Sequence, residues 1–461
     1  MNYNSAFFLC ALPIIFTLYY LITPMVSSEM RTKTGNTLLL IVSYVVLAYE
    51  NALSCILLAY VTIVTFVGGK HIVRRHLPLY ATLTLAIIPL TIYKYYSFAC
   101  SILTDVGLSC KSHSLVIPIG ISFFTLQAIG YIIDVYRGKI KAENNLLDYT
   151  LFLSFFPQIV AGPISRYCQL MPQIKNNRTF SAQRATEGLR MLLWGVFLKI
   201  VIADRLSLYV NDIANYIDIA DGSSLLSMAF FYSFQIYSDF AGYSLMAIGT
   251  AKVVGFDLPD NFRRPYLSVS ITEFWHRWHI SLSLWLRDYI YISLGGNRCS
   301  RWRNYVNIMT TFTVSGLWHG ANYTFLIWGL LHGMFQCIEK ALGLNKEYTG
   351  NKLLKAIRIA TTFIIVTMLW IVFRMPTLSD AWTVFVHIAT TTDFHLVMPE
   401  KYVIILLAIA IIKDLVDEYH PQYNMLHHRS LMVRWTSYVL IAMSIILFGV
   451  FDSGQFIYAK F

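Results

Sequence analysis

The 461-residue sequence is 56% hydrophobic and only 13% charged, with a formal net charge of +11. Ordinary soluble domains carry about 25% charged residues, so this composition excludes that class and indicates an integral membrane protein. The basic residues gather in short loops, as the positive-inside bias produces, and no basic soluble domain is present that would bind nucleic acid. Examples are Lys70, Arg137, Lys139, Lys141, Arg298, Arg301, Arg303, Lys352, Lys355 and Arg358.

Long apolar runs recur along the chain and predict roughly ten to twelve membrane-spanning helices, because one span needs about 20 apolar residues. The first run, Ala6–Pro24, has no basic segment before it and no cleavage site after it, so we expect a retained span rather than a signal peptide. The later runs are Thr37–Gly69, Leu79–Ser101, Leu115–Ile133, Leu192–Ala203, Ser223–Ala251, Ile359–Phe373, Tyr402–Ile412 and Trp435–Phe451. With no linker and no repeat of fixed period, we expect one polytopic all-α domain over residues 1–461, with its motifs between about residues 93 and 343.

The seven cysteines form no C-x-x-C motif, and most lie in apolar runs. They predict neither a disulfide framework nor a zinc site, and we expect no bound metal. The phosphate-binding loop of ATP-driven pumps and the common hydrolase and zinc-protease motifs are also missing from the sequence.

Two polar positions interrupt apolar segments between residues 155 and 240. The segment Phe155–Tyr167 contains two prolines within seven residues, which predicts a re-entrant hairpin with Arg166 near a headgroup or a substrate. Asp239 is the lone charge between Asp221 and Lys252. Pairing with an arginine and a functional role are equally good explanations for that carboxylate.

The segment Glu273–Tyr289, EFWHRWHISLSLWLRDY, has an imperfect amphipathic pattern at helical spacing. It predicts a single helix lying along the membrane interface, either as a plain anchor or as a helix that carries His279 to the mouth of a polar cavity. His279 lies at the boundary between the two faces.

His319 is centred in a run from Asn304 to Ile338 that contains no charged residue. A buried polar group in a membrane costs several kcal/mol unless it is paired, so this imidazole is either a hydrogen-bonding core residue or a functional group. The flanking Gly316 and Gly320 allow a close helix approach or a local break.

Taken together, these motifs resemble the membrane-bound O-acyltransferase superfamily, and within it the bacterial branch that acetylates exported polysaccharide. The matching segments are Tyr93–Phe98, Pro118–Gly138, Phe155–Tyr167, Phe234–Ser244, Leu258–Tyr266, Phe274–Arg298, Ser315–Gly333 and the tail Gln455–Phe461. Leu245, His276 and Ser293 depart from the usual pattern of this branch, in which Asp, Arg and Pro are common at those positions.

The resemblance implies a bundle of transmembrane, re-entrant and interfacial helices around a central tunnel. It also implies that His319, the histidine of the WHG motif, is catalytic and that His279 works with it. The residues expected to bind substrate or to support these two are Trp318, Asn322, Asp239, Arg166, Trp275, Trp278, Arg287 and Asp288. No cofactor is expected to be bound; the expected donor is acetyl-CoA, reaching the protein from the cytoplasmic side of a bacterial inner membrane.

Acyl transfer to an alcohol requires a base that takes the hydroxyl proton, and a neutral imidazole performs that task near neutral pH. We therefore expect His319 to activate the acceptor hydroxyl and His279 to orient the acceptor or to polarise the thioester carbonyl. An acyl-His319 intermediate is the alternative mechanism. The expected partners are the thioester donor, the lipid membrane, and an extracytoplasmic SGNH-type transferase or glycan acceptor.

Two other functions remain open from the sequence. Transfer of D-alanine from a carrier protein to teichoic acid is a change of donor within the same enzyme class. A proton-coupled secondary transporter belongs to another class, and it would predict inverted repeats, which the sequence does not show.

Overall fold

A computed structural model describes residues 6–72, 76–110, 115–346, 348–391 and 395–451, and every regular element in these ranges is helical. The tail Gln455–Phe461, which contributes to the resemblance, lies outside the described residues. The α-helices in chain order are α1 (Ala6–Ile22), α2 (Ser28–Glu50), α3 (Ala52–His71), α4 (His76–Leu90), α5 (Tyr96–Asp105), α6 (Ile121–Tyr136), α7 (Leu146–Ser154), α8 (Phe156–Ile159), α9 (Tyr167–Lys175), α10 (Ala182–Val196), α11 (Asp204–Ala214), α12 (Gly222–Val253), α13 (Ile271–Arg277), α14 (Ile280–Leu286), α15 (Arg301–His319), α16 (Tyr323–Ala341), α17 (Lys352–Arg374), α18 (Leu378–Thr390), α19 (Lys401–Tyr419) and α20 (Leu431–Phe448).

Short segments of other helical types complete the described secondary structure. Turns of 3₁₀-helix are Thr23–Met25, Pro265–Leu267 and Pro421–Tyr423. Segments of π-helix are Thr91–Tyr95, Phe197–Ala203 and Arg287–Tyr291. Such π segments are frequent at functional sites, and two of these contain a buried lysine, Lys94 and Lys199.

Four described helical stretches are long and apolar enough to cross a membrane: Ala52–His71, His76–Asp105, Lys352–Arg374 and Leu431–Phe448. Two shorter apolar stretches are Cys10–Met25 and Ile121–Tyr136. These agree with the membrane class read from composition, whereas the expected ten to twelve spans and the central tunnel stay predictions.

The chain divides into two compact units. The first comprises the described residues up to Leu192 together with Ser244–Asp260, and the second comprises Leu193–Tyr243 and the described residues from Asn261 onwards. Both α10 and α12 contribute residues to each unit. That the chain acts as one polytopic domain stays a prediction.

In the first unit, α2, α3, α6 and α7 pack around a core of buried aromatic residues. The Tyr149 hydroxyl donates to Thr65 Oγ1 over 2.7 Å, and the Asn36 amide donates to Asp148 Oδ1 over 2.9 Å. Buried hydroxyl and amide groups are thus satisfied between helices, as an apolar interior requires.

Glu143 fixes the loop between α6 and α7 in this unit. Its carboxylate accepts hydrogen bonds from the Tyr167 hydroxyl (2.5 Å) and the Asn144 and Asn145 amides, and pairs with Lys175 Nζ at 2.6 Å. Burial alone would raise the pKa of Glu143, but the bonds from Lys175 and Tyr167, together with the two amides, outweigh it and lower the pKa to about 2.

The proline-containing segment Phe155–Tyr167 is not one continuous helix. After α7 ends at Ser154, the four-residue α8 is followed by turn and extended backbone up to Arg166, and residues 155–165 are almost entirely buried. The break agrees with the expected interruption, while a re-entrant course through the membrane stays a prediction.

The prediction that the cysteines form no disulfide is wrong at one pair. Cys100 and Cys110 are bonded, with their Cα atoms 5.2 Å apart. The pair was missed because Cys100 lies in an apolar helix, whereas the turn after α5 returns the chain to it only ten residues later.

The prediction of one interfacial helix over Glu273–Tyr289 is also wrong. The segment forms two short helices, α13 and α14, separated at Trp278 and His279, and then a π-helical turn. Trp278 and His279 are fully buried, and Ser281 and Asp288 on the supposedly solvated face are also buried. Contacts from a distant segment, described next, override the helical periodicity.

Candidate active site

The second unit brings the two predicted catalytic histidines together. His279 and His319 are 0% and 1% exposed, and their ring centroids lie 6.3 Å apart. His319 is the last residue of α15, because Gly320 adopts extended backbone and α16 starts only at Tyr323. The two imidazoles are 40 residues apart in sequence and meet through tertiary packing alone.

His279 has a left-handed backbone, with φ 42° and ψ 54°. Non-glycine residues rarely adopt this conformation, and where they do it often marks a functional site. Asn261 holds the turn: its carbonyl oxygen accepts from the Ile280 amide at 2.9 Å, and its Oδ1 accepts from the Ser281 hydroxyl at 2.6 Å. Asn261 thereby fixes the two residues after His279 and was missed in the sequence because nothing local reveals this contact.

Aromatic rings enclose the two imidazoles. The centroid distances to His319 are 5.0 Å for Trp318, 5.2 Å for Trp328 and 5.6 Å for Phe373. Those to His279 are 4.6 Å for Phe240 and 5.7 Å for Trp318. This packing excludes bulk water from the two rings.

Trp275 and Trp278 form the next layer. Trp275 Nε1 donates to Nδ1 of the buried His332 over 3.2 Å, so the neutral form of His332 carries its proton on Nε2. The Trp278 ring packs on Trp370 at 5.0 Å, and Trp370 stacks on Trp328 at 5.6 Å. These tryptophans therefore support the rings that touch His319.

Asp239 is part of a buried ionic cluster. Lys199 Nζ lies 2.6 Å from Asp239 Oδ1 and 2.7 Å from Asp204 Oδ1, and the three side chains are at most 2% exposed. Asp239 is thus paired with a lysine of the π-helical segment Phe197–Ala203, where the sequence suggested an arginine. Sequence reasoning missed Lys199 within an apolar run. The residue after Asp239, Phe240, packs against His279.

Asn322 ties the histidine loop to the end of α17. Its Oδ1 accepts from the Thr324 amide and caps α16, and its Nδ2 donates to the carbonyl oxygen of Pro376 over 2.8 Å. Because Phe373 also contacts the His319 ring, residues 373–376 are held beside the WHG motif. Neither of the two residues between these contacts, Arg374 and Met375, was singled out from the sequence.

The remaining predicted site residues have described contacts with other groups. Arg166 belongs to the first unit, where its backbone amide donates to Gln169 Oε1 at the start of α9. Arg287 and Asp288 pair with each other at 2.7 Å after α14, with the Arg287 side chain about half exposed. Their expected roles stay predictions.

An apolar cavity of about 390 Å³ also lies in the second unit, among α12, α17 and α19. Its wall includes Tyr237 and Tyr266, whose rings contact Trp278 at 6.2 and 6.1 Å. Trp278, which precedes His279 in the chain, therefore contacts the wall of this cavity.

The histidine pair can act on one small group held between the rings. A heavy atom within about 2.6–3.2 Å of each imidazole is in reach of proton transfer or hydrogen bonding. One ring can accept a proton while the other orients the reacting group, and the surrounding tryptophan and phenylalanine rings provide a dry environment for both.

Comparison with known proteins gives a consistent result. A model of the MBOAT, membrane-bound O-acyltransferase family, matches residues 139–376. The probable alginate O-acetylase of Pseudomonas aeruginosa is 40% identical over 396 residues, which cover 83% of this chain and 73% of the relative. The peptidoglycan O-acetyltransferase of Helicobacter pylori is 37% identical over 326 residues, covering 63% and 60%. The teichoic acid D-alanyltransferase of Streptococcus thermophilus is 29% identical over 297 residues, covering 59% and 71%.

Proposed function

Because this chain belongs to the membrane-bound O-acyltransferase family, we propose that it transfers an acetyl group across the bacterial inner membrane for O-acetylation of an exported or cell-envelope polysaccharide. The resemblance read from the motifs is confirmed, and the protein is a multi-pass membrane acyltransferase. The proposed donor is acetyl-CoA on the cytoplasmic side. The proposed final step is handing of the acetyl group to an extracytoplasmic SGNH-type transferase or directly to the glycan.

The observation that carries this proposal is the buried pair His279 and His319, with ring centroids 6.3 Å apart. Each imidazole sits in a mainly aromatic environment, where a base and a hydrogen-bonding partner are available and water is excluded. The family supplies the reaction class, and the pair supplies groups suited to it.

In the proposed mechanism, the acceptor hydroxyl oxygen attacks the thioester carbonyl carbon while His319 takes the hydroxyl proton. The bond to the thioester sulfur then breaks, and the sulfur leaves with a proton returned from His319. His279 orients the hydroxyl or donates a hydrogen bond to the carbonyl oxygen. Trp318 contacts both imidazoles and fixes their relative position.

Acetyl transfer is favoured over D-alanyl transfer by the comparisons. The acetylating relatives are 40% and 37% identical, against 29% for the D-alanyltransferase. A D-alanyl donor remains the second candidate because that relative shares the same enzyme class. A proton-coupled transporter loses support, since the family is one of acyltransferases.

The test is alkali-labile acetate on envelope and exported glycans in a deletion strain complemented with the wild-type chain or with His319→Ala. Removal of a general base typically lowers the rate about 10²- to 10⁴-fold, so we expect acetate near the deletion level at equal protein in the membrane. His276→Ala is the matched control, because His276 is exposed and lies three residues from His279. We expect full complementation from it.

The outcomes separate the elements of the proposal. Acetate restored equally by His319→Ala would refute the assigned base. If the wild-type chain leaves the acetate level unchanged but changes the level of alkali-labile D-alanine, the donor is a D-alanyl thioester and not an acetyl thioester.

A further inference from the structure

We propose that His332 and Glu339, on one face of α16, are positioning residues for acyl transfer. By holding α13, they set where His279, two residues beyond the end of that helix, lies against His319. The inference rests on the proposed function, because it takes these two imidazoles as the reacting pair. His332 and Glu339 are seven residues apart, which at 3.6 residues per turn places them about two turns apart on the same side of α16.

His332 holds the middle of α13 through Trp275. The His332 ring is fully buried, and its Nδ1 accepts a hydrogen bond from the Trp275 indole N–H over 3.2 Å, with the two ring centroids 5.1 Å apart. Only a neutral imidazole offers that acceptor, since both nitrogens of an imidazolium donate. Trp275 is itself buried, so an apolar residue at position 332 would leave its N–H without this acceptor. The hydrogen bond therefore sets how Trp275 lies on α16.

Glu339 holds the first turn of α13. Its Oε1 accepts from the Ile271 amide over 2.5 Å, and its Oε2 accepts from both the amide and the hydroxyl of Thr272 over 2.9 Å. The first amides of a helix have no partner within the helix, and a carboxylate satisfies them and complements the positive end of the helix dipole. Since α13 has only seven residues and so short a helix is marginal alone, these contacts fix where it starts and how it is oriented on α16.

The hold on α13 extends to both imidazoles through the chain and through ring packing. The Trp278 amide donates to the carbonyl oxygen four residues back over 2.7 Å, which continues the hydrogen bonding of α13 to the residue before His279. The Trp275 ring packs on Trp328 at 5.6 Å, and Trp328 packs on His319 at 5.2 Å. A displacement of α13 therefore reaches both members of the pair.

The helix that carries the two positioning residues is itself fixed to α15, which ends at His319. The backbones of α15 and α16 approach so closely at Gly316 and Gly329 that a Cβ atom at either position would overlap a carbonyl oxygen of the other helix. One face of α16 thus packs on α15, and another carries two side chains to α13. A single helix thereby sets the spacing between the segments that bear the two imidazoles.

The other end of α13 has contacts of its own. Arg277 pairs with Glu418 at 2.9 Å, and its carbonyl oxygen accepts from the Arg263 amide over 2.9 Å. A helix held at one end can still pivot, so the contacts of its start and its middle with α16 decide its direction.

The test observes the surroundings of the histidine pair without turnover. The purified full chain, labelled with 5-fluorotryptophan, is placed in lipid nanodiscs, and the ¹⁹F resonance of Trp318 is assigned by its loss in Trp318→Phe. Trp318 contacts His279 at 5.7 Å and His319 at 5.0 Å, so its resonance reports the position of both rings. Alkali-labile acetate on glycans of the complemented deletion strain is measured in parallel.

Two substitutions at position 332 separate the hydrogen bond from ring packing. His332→Asn keeps an acceptor near the position of Nδ1 and loses the ring, whereas His332→Phe keeps a ring and loses the acceptor. We expect His332→Phe to displace the Trp318 resonance and to lower acetate transfer about 10²-fold, the cost of misplacing reacting groups by about 1 Å. His332→Asn should retain most of both. Trp275→Phe removes the same hydrogen bond from the donor side, so its effect should match that of His332→Phe and should not add to it.

Glu339→Leu tests the second contact at an independent position. It should displace the Trp318 resonance and lower acetate transfer, and Glu339→Gln, which keeps one accepting oxygen, should lie between Glu339→Leu and the wild type. Met334→Leu is the control, since Met334 is exposed on α16 between the two positioning residues. It should change neither measurement.

An unchanged Trp318 resonance and unchanged acetate transfer in His332→Phe and Glu339→Leu would overturn the inference. A lowered thermal midpoint in those variants would not rescue it, because that pattern indicates a structural role alone. Retention by His332→Phe together with loss in His332→Asn would also overturn it, since ring packing would then explain the effect. Because the resonance is recorded without turnover, a displaced resonance combined with a wild-type chain that restores no acetate would refute only the proposed function.

Discussion

The buried cluster of Lys199, Asp204 and Asp239 allows a prediction of how removing one charge changes thermal stability. One cation is shared between two carboxylates, at 2.7 and 2.6 Å, in surroundings that leave each side chain at most 2% exposed. Lys199→Met keeps the length of the side chain and removes its charge, so two carboxylates remain buried without the ammonium between them. Asp239→Asn keeps the pair between Lys199 and Asp204.

The structure sets the scale of the difference. Unit charges about 4 Å apart attract by about 4 kcal/mol at an effective dielectric constant of 20, and Lys199 makes two such contacts. Desolvation offsets much of that attraction, but removing one partner of a buried pair still costs about 3–5 kcal/mol. We therefore expect Lys199→Met to lower the thermal midpoint strongly and Asp239→Asn to lower it little.

The assay is thermal unfolding of the purified chain in detergent, followed by tryptophan fluorescence, with acetate transfer measured in parallel. The triple variant Lys199→Met, Asp204→Asn, Asp239→Asn is the matched control, because it has no buried charge left in the cluster. It should recover most of the stability lost by Lys199→Met alone. If the single and triple variants unfold at the same temperature, the loss comes from packing and the electrostatic reasoning is wrong.

Two further predictions concern packing and pH. In Gly316→Ala, the added methyl group would collide with the backbone carbonyl oxygen of Phe325 and force α15 away from α16. We therefore expect the free energy of unfolding to fall by about 1–3 kcal/mol. Because His319 moves with α15, we also expect acetate transfer to fall about 10²-fold. Because the pKa of Glu143 is about 2 in the folded chain and 4.5 is its ordinary value, its contribution to stability is full above about pH 4.5 and is lost as the pH falls toward 2. The difference in thermal midpoint between the wild type and Glu143→Gln should therefore be clearly larger at pH 7 than at pH 3.

Each of these has a control and a contradicting result. The control is Val306→Ala, at an exposed position of α15, which should leave stability and acetate transfer unchanged. If Gly316→Ala also leaves both unchanged, α15 and α16 move apart without cost and the packing argument is wrong. For Glu143, a difference from the Gln variant that stays constant between pH 7 and 3 would show that ionisation does not stabilise the loop.

The sequence predicts the membrane class and the two central imidazoles for identifiable reasons. An uncharged run of 35 residues around His319 is visible without any structure, and the motif around His279 is specific only together with the other matching segments. The structure then places the two rings 6.3 Å apart, and the catalytic roles stay predictions.

What could not be predicted depends on contacts between distant segments. The periodicity of Glu273–Tyr289 favours one helix, and no glycine or proline marks the break that Asn261 imposes from 18 residues upstream of His279. Lys199 was hidden because apolar residues surround it, and its partner Asp239 lies 40 residues away. Local pattern carries little information about either pairing.

Two independent requirements apply to the residue at position 279. The position needs a residue that tolerates φ 42° and also one that supplies an imidazole, and no other amino acid meets both. Glycine and asparagine satisfy the backbone alone, whereas a β-branched residue satisfies neither. Substitution by alanine therefore mixes strain with loss of chemistry, and His279→Asn is the exchange that isolates the imidazole. We therefore expect few substitutions at position 279 to be neutral.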